Sequence, residues 1–135
     1  MPKEIIRSEK LSRPIGVFSQ AVKVPAKGHL IFVSGLTARD PSGNVVGRGD
    51  VRTQTRQILE NLRTILAEAG ATLENVVKVT VFIRNMERDF RPIHEVRAEF
   101  FPKNPPASTM VEVSRLVDPD HLVEIEAVAV ISYPL

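Results

Sequence analysis

The segment at residues 51–69 constrains the fold of this chain most, because its apolar residues recur at the spacing of an α-helix. Asp50 is a suitable N-cap before the segment, and Gly70 is a stop signal after it. The apolar positions are Ile58, Leu59, Leu62, Ile65, Leu66 and Ala69. The pattern predicts a long helix with one face on a hydrophobic core.

Short apolar runs on both sides of this helix predict the strands against which it packs. Residues 20–24 and 30–34 predict two strands joined by a turn at 25–28. A second turn at 40–44 leads to a short strand-like pair, Val45 and Val46. The valine-rich run at 75–84 predicts a central strand that is buried on both sides.

A second helix is predicted from an Asp89 cap to about Phe101, with Pro92 tolerated in its first turn. Strands at 107–113 and 121–132 complete the chain. This order predicts a single α+β domain over 1–135, with two helices on one face of a mixed sheet. Apolar residues remain for the other face, so we expect copies of the chain to cover it in a homo-oligomer.

Composition excludes several classes of function. The 18 basic and 16 acidic residues are interleaved, so the charge does not indicate a nucleic-acid partner. No cysteine is present and the three histidines lack a metal-ligand spacing, so neither a thiol nucleophile nor a metal site is expected. Charge interrupts the N-terminus too early for a secretory signal, and no apolar run approaches membrane-spanning length. We expect a cytoplasmic protein without membrane association.

The stretch at 104–113 reads Asn-Pro-Pro-Ala-Ser-Thr-Met-Val-Glu-Val and predicts a ligand site at a strand entrance. The two prolines restrict the backbone just before Ser108 and Thr109. No charge lies between Lys103 and Glu112. A small ligand would therefore meet neutral hydroxyl groups here.

Two carboxylates in the last strand are candidates for proton chemistry. Glu124 and Glu126 are two residues apart, so both should point to the same side of the sheet. A partly buried acid there could handle protons or orient a water molecule. The alternative is a pair of strand-edge charges that face solvent or pair with Arg115.

The second helix places a histidine and an arginine on one face. His94 and Arg97 are three residues apart, so a cation could receive a substrate carboxylate with the histidine as hydrogen-bond partner. The alternative is a solvated helix edge.

Weaker candidates lie elsewhere. Ser34 and Gly35 could contact a ligand at a strand end, and Phe18 could wall a pocket, although all three also suit an ordinary strand end or core. Three arginines of the first helix, at 52, 56 and 63, suggest a phosphate-binding stripe or a solvated face paired with Glu60.

Six segments carry a resemblance to a known family: 16–22, 31–35, 53–62, 75–82, 104–107 and 123–130. They occur in the family's order over nearly the whole chain. The chain resembles the reactive intermediate deaminase family, also called Rid, YjgF-like, RutC or L-PSP endoribonuclease.

The resemblance implies a trimer of chorismate-mutase-like α+β subunits, with a central β-barrel and ligand clefts between subunits. It implies hydrolysis of enamines or imines such as 2-aminoacrylate to keto acids and ammonia, without a metal or organic cofactor. The implied cleft residues are Phe18, Ser34, Gly35, His94, Ser108, Thr109 and Glu126. Glu126 would position the attacking water, and backbone groups near Ala107 and Thr109 would contact the ligand.

The chain departs from the family pattern at the ligand site. The deaminase branch has an arginine that clamps the substrate carboxylate where this chain has Ser108, and a neutral hydroxyl cannot replace such a charged fork. Phe18 stands for the usual tyrosine, and His94 for a frequent asparagine. One hypothesis is that Arg97, where the family often has tyrosine, supplies the lost positive charge.

Three functions therefore remain open. The first is a hydrolytic deaminase of a small imine, enamine or related conjugated acid with altered specificity. The second is a non-catalytic module that binds a small molecule, which the loss of the arginine favours. The third, an endoribonuclease or translation inhibitor, has little support because the basic residues are dispersed and no acid–base pair for RNA cleavage is evident.

Overall fold

The structure, a computed structural model, describes residues 3–25 and 27–133. Within them six strands and two α-helices form. In chain order these are β1 Glu4–Ile6, β2 Ala21–Lys23, β3 Gly28–Leu36, α1 Val51–Glu68, β4 Val76–Ile83, α2 Met86–Phe100, β5 Ala107–Glu112 and β6 Val123–Ser132, with a 3-10 turn at Leu73–Asn75 before β4. The predicted α+β arrangement is confirmed.

The main sheet has the strand order β3-β6-β4-β5. β6 runs antiparallel to β3 and β4, whereas β5 runs parallel to β4, so the sheet is mixed as predicted. The two helices cover one face, on which alternate residues of β4 and β6 are buried, among them Val79, Val81 and Ile125. We call the other face the open face. β4 is central, but it is not buried on both sides, because Thr80 and Phe82 remain partly exposed on the open face.

Helix α1 begins and ends where the sequence predicts. The side chain of Asp50 accepts hydrogen bonds from the amide and hydroxyl of Thr53, and the hydroxyl bond is the main reason that the pKa of Asp50 is lowered. Gly70 follows the helix with φ at +78°. Ile65 departs from the predicted buried stripe and is 48% exposed.

The predicted cap of α2 is wrong. The helix begins at Met86, and the Asn85 side chain accepts from the Arg88 amide, 3.0 Å away. Asp89 instead lies buried in the first turn, where its carboxylate pairs with Arg88. Its negative charge also interacts favourably with the positive N-terminal end of the helix dipole. Because the helix starts earlier, Pro92 lies inside it rather than in its first turn, and the ring removes one backbone hydrogen-bond donor.

The first two predicted strands are not partners. β2 pairs antiparallel with β1, with Ile5 opposite Val22, and this small sheet is separate from β3. The predicted turn at 25–28 includes Ala26, which lies outside the described residues. Val45 forms only an isolated bridge with Arg39. Within residues 3–25 and 27–133, neither helix combines the length and apolar character that a membrane crossing requires.

Candidate functional site

The proline turn is tied to the chain segment around Phe18. Ser19 forms a parallel bridge with Ala107, and its amide donates to the Pro106 carbonyl at 3.1 Å. Its hydroxyl donates to the carbonyl of Pro105. These bonds place the half-buried Phe18 and the start of β5 at the same edge of the sheet.

Arg97 lies beneath this edge and is 1% exposed. Its Nη2 donates to the Val17 carbonyl at 3.1 Å and to the Ser108 hydroxyl at 2.9 Å. Burial lowers the pKa of Arg97 to about 10, so the guanidinium remains charged at neutral pH. The alternative of a solvated helix edge is therefore wrong for Arg97.

His94 lies one turn before Arg97, against Phe90 and Gly16. Its Nδ1 is 3.1 Å from the Phe90 carbonyl, and its ring stacks on Phe90 with centroids 4.2 Å apart. Burial lowers the pKa of His94, and the charge of Arg97 lowers it further. Because a carbonyl only accepts hydrogen bonds, Nδ1 carries the proton and Nε2 presents a lone pair.

A polar row crosses the open face of the sheet. Glu126 lies opposite Thr80, and Thr80 lies opposite Thr109 on the next strand. On the other side of Glu126 the register shifts, so that Ser34 and Gly35 occupy the place of one residue in a β-bulge. Ser34, Gly35, Glu126 and Thr109 therefore share one row across the four strands.

Contacts within this row fix some of its side chains. The ammonium of Lys78 donates to the Thr109 hydroxyl at 2.7 Å. A Cβ on Gly35 would lie only 2.1 Å from the Glu124 carboxylate, so only glycine permits this approach. Glu124 and Glu126 do point to the same side, as predicted, and in the described part of the chain neither pairs with Arg115.

The predicted residues of one chain fall into two groups on opposite faces. Ser108 and Thr109 are consecutive in β5, so their side chains point to opposite sides of the sheet. His94, Arg97 and Ser108 belong to the helix-covered face, which we call the edge group. Ser34, Gly35, Thr109 and Glu126 belong to the open face, which we call the row group. A single chain does not bring both groups onto one small ligand.

Sequence reasoning missed Lys78 and Thr80, although strand alternation places both beside Glu126 and Thr109. A cavity of about 710 Å³ lies at the C-terminal ends of α1 and α2, lined partly by Thr72, Phe100 and Asn104. Arg63 of the predicted arginine stripe and Asn104 of the 104–113 stretch line it, whereas none of the implied cleft residues does. Its size alone does not make it the site, because chemistry-bearing side chains converge elsewhere.

The arginines of α1 are engaged in ion pairs. Arg63 pairs with Glu60 at 2.8 Å, as the sequence suggested. Arg52 and Arg56 reach across to Glu95 and Glu99 of α2. The three side chains therefore do not form an unpaired stripe for phosphates. Within the described ranges, His, Asp and Glu side chains form no group of three suited to a metal ion.

Comparisons with known proteins agree with this fold. The family model described as Endoribonuclease L-PSP matches residues 9–131. A RutC family protein of Pyrococcus abyssi is 46% identical over 96% of this chain and 98% of its own length. The 3-aminoacrylate deaminase RutC of Acinetobacter baylyi is 40% identical over the same shares. The solved structure of YyfB, a Rid family protein of unknown function from Yersinia pestis, superposes with a TM-score of 0.89 at 30% identity, covering 97% of this chain and 100% of that one.

Proposed function

Because the chain belongs to the L-PSP endoribonuclease family, which also carries the names RutC and Rid, we propose that it is a hydrolytic deaminase of small imine or enamine acids. In such a reaction an enamine takes a proton on carbon and becomes an imine. Water then adds to the imine carbon, and the C–N bond breaks. One water is consumed, a C=O group remains and ammonia leaves.

The polar row on the open face carries this proposal. Glu126 is exposed there between Thr80 and the Ser34–Gly35 bulge, in a chain 40% identical to a 3-aminoacrylate deaminase. Its carboxylate accepts a hydrogen bond from the attacking water and turns the oxygen lone pair toward the imine carbon. The amides and hydroxyls beside it hold the ligand. Positioning of this kind lowers the barrier by fixing reactants that would otherwise have to meet by diffusion.

The active unit in this proposal is a chorismate-mutase-like homotrimer with a central β-barrel. The edge group of one subunit and the row group of the next then form one cleft, with Phe18 and the backbone at Ala107 as further walls. Two observations support the assembly. The two groups lie on opposite faces of one sheet, and large apolar side chains are exposed on the open face, Leu30 at 62% and Phe32 at 74%. We place the trimer in the cytoplasm, with a small molecule as its partner.

Ammonia release tests the activity. Purified protein is incubated with freshly generated 3-aminoacrylate or 2-aminoacrylate, and Glu126→Gln is compared with the wild type. Loss of a positioned acid–base group is expected to slow turnover about 10²-fold or more. The exposed Glu87 on α2 provides the control, because Glu87→Gln removes a carboxylate outside the cleft.

No acceleration by the wild type with any such substrate would contradict the proposal. Binding of a small molecule without turnover, unchanged in Glu126→Gln, would instead indicate a non-catalytic binding module.

A further inference from the structure

Arg97 holds a buried positive charge that no carboxylate neutralises within residues 3–25 and 27–133. Both of its hydrogen bonds reach neutral oxygens, those of Val17 and Ser108. Buried charges in proteins are normally paired, because desolvation without a counter-charge is unfavourable. The charge of Arg97 is therefore not balanced by a carboxylate of the described residues.

Acidic residues on the same helix do not meet this need. Asp89 pairs with Arg88, and the two glutamates at 95 and 99 pair with arginines of α1. These three carboxylates are held by other partners. The fourth, Glu87, is exposed in the first turn and forms no ion pair with Arg97. Among the described residues no carboxylate lies within ion-pair distance of Arg97.

Ser108 connects this charge to the surface of the edge strand. Its hydroxyl oxygen accepts from the Arg97 guanidinium, so the hydroxyl proton points elsewhere and has no acceptor among the described residues. Ser108 is half-buried, whereas Arg97 lies fully behind it. On one side β5 pairs with β4, and on the other the isolated bridge of Ser19 covers its start at Ala107, so a ligand can approach the sheet edge beyond that bridge.

We propose that Ser108 and Arg97 together form the subsite for the carboxylate of the ligand. Ser108 donates the hydrogen bond to the carboxylate, and the guanidinium of Arg97 supplies the positive charge behind it. Arg97 thus acts as a positioning residue through Ser108. The inference rests on the proposed function, whose substrates are small acids, and it moves the clamping charge from the strand to α2.

His94 limits the charge of the ligand that this subsite accepts. The N–H at Nδ1 of His94 donates a hydrogen bond to the Phe90 carbonyl, and burial favours the neutral ring. His94 therefore adds an acceptor beside Arg97 and not a second cation. With one positive charge, the subsite suits a single carboxylate better than a dianion such as phosphate.

Calorimetric titration with pyruvate and pyruvamide tests the subsite, because these probes differ mainly in the charged carboxylate. The wild type is expected to bind pyruvate about 10-fold or more tightly than pyruvamide, as a charge-assisted hydrogen bond would give. Arg97→Met and Ser108→Ala are each expected to remove most of this preference, whereas Arg97→Lys retains part of it. Arg91→Met changes an exposed arginine of the same helix and is expected to preserve it.

Pyruvate that does not bind to the wild type, or a preference that survives both Arg97→Met and Ser108→Ala, would overturn the inference. Circular dichroism checks the fold of each variant. If Arg97→Met does not fold, the Ser108→Ala variant provides the test. The readout needs no turnover. If the variants lose the preference for pyruvate but the wild type shows no deamination, only the proposed function is contradicted. If the wild type deaminates and its KM is unchanged in Arg97→Met and Ser108→Ala, only the subsite is contradicted.

Discussion

Replacing Gly16 by alanine is expected to displace His94 from the edge group. A Cβ on Gly16 would lie 1.9 Å from Nε2 and 2.4 Å from Cδ2 of the imidazole. Carbon atoms in ordinary contact are about 3.5–4.0 Å apart, so the ring would have to move by roughly 1.5–2 Å. That movement breaks the 3.1 Å contact of Nδ1 with the Phe90 carbonyl and the stacking on Phe90.

Gly16→Ala lowers the free energy of unfolding because its methyl group crowds His94, and not because alanine strains the backbone. Gly16 is not among the glycines with positive φ, so alanine fits its backbone conformation. Overpacking of this kind lowers the free energy of unfolding by about 1–3 kcal/mol. In a His94→Ala background the clash is absent, and the same change is expected to cost less than about 0.5 kcal/mol.

Urea unfolding at pH 7.5 of the four proteins in this double-mutant cycle gives the coupling free energy. Gly43→Ala is the control, since no atom lies within 4 Å of its added Cβ while its φ of +86° still opposes alanine. Its cost should be the same with and without His94. An equal cost of Gly16→Ala in both backgrounds would refute the contact between Gly16 and His94.

Two further predictions concern pH and assembly. Burial lowers the pKa of His94 and of the fully buried His121 in the folded protein. Below a pH of about 6.5, the pKa of an imidazole in the unfolded chain, the unfolded chain therefore binds more protons than the folded one. The free energy of unfolding, measured in urea at several pH values, is therefore expected to be level above about pH 7 and to fall as the pH drops below about 6.5. A free energy of unfolding that stays constant down to pH 5 would contradict this. Phe32→Asp places a charge on the open face, where Phe32 is 74% exposed, and sedimentation at micromolar concentration is expected to show trimers for the wild type and smaller species for the variant. A wild type that sediments as a stable monomer would contradict the proposed assembly.

The sequence predicts those parts of the fold in which local signals agree. Helix α1 has an apolar period, an Asp50 cap and a Gly70 stop, and all three point to the same bounds. The start of α2 is different, because Asn85 and Asp89 are both good caps. Only the side-chain hydrogen bond to Arg88 decides between them.

The β1–β2 pairing was missed for a related reason. Each strand has only three residues, so neither has a period long enough to specify a partner. The predicted hairpin to β3 rested on adjacency in the chain.

The candidate site was predicted only as a set of residues. Strand alternation separates Ser108 from Thr109, but which face the helices cover is decided by tertiary packing. The spacing of His94 and Arg97 gave their common helix face. It did not show that Arg97 is buried against Ser108, because helical spacing does not distinguish a solvated edge from a sheet-facing one.

Co-expression of Glu126→Gln with Arg97→Met tests most directly whether hydrolysis occurs in a cleft shared by two subunits. Each variant alone is expected to be nearly inactive in ammonia release at low substrate. Mixed trimers purified through two different tags contain both variants, so one of the three interfaces in each trimer pairs an intact Arg97 group with an intact Glu126 group. About a third of the wild-type rate is therefore expected to return. A mixture as inactive as its parents would contradict the shared cleft.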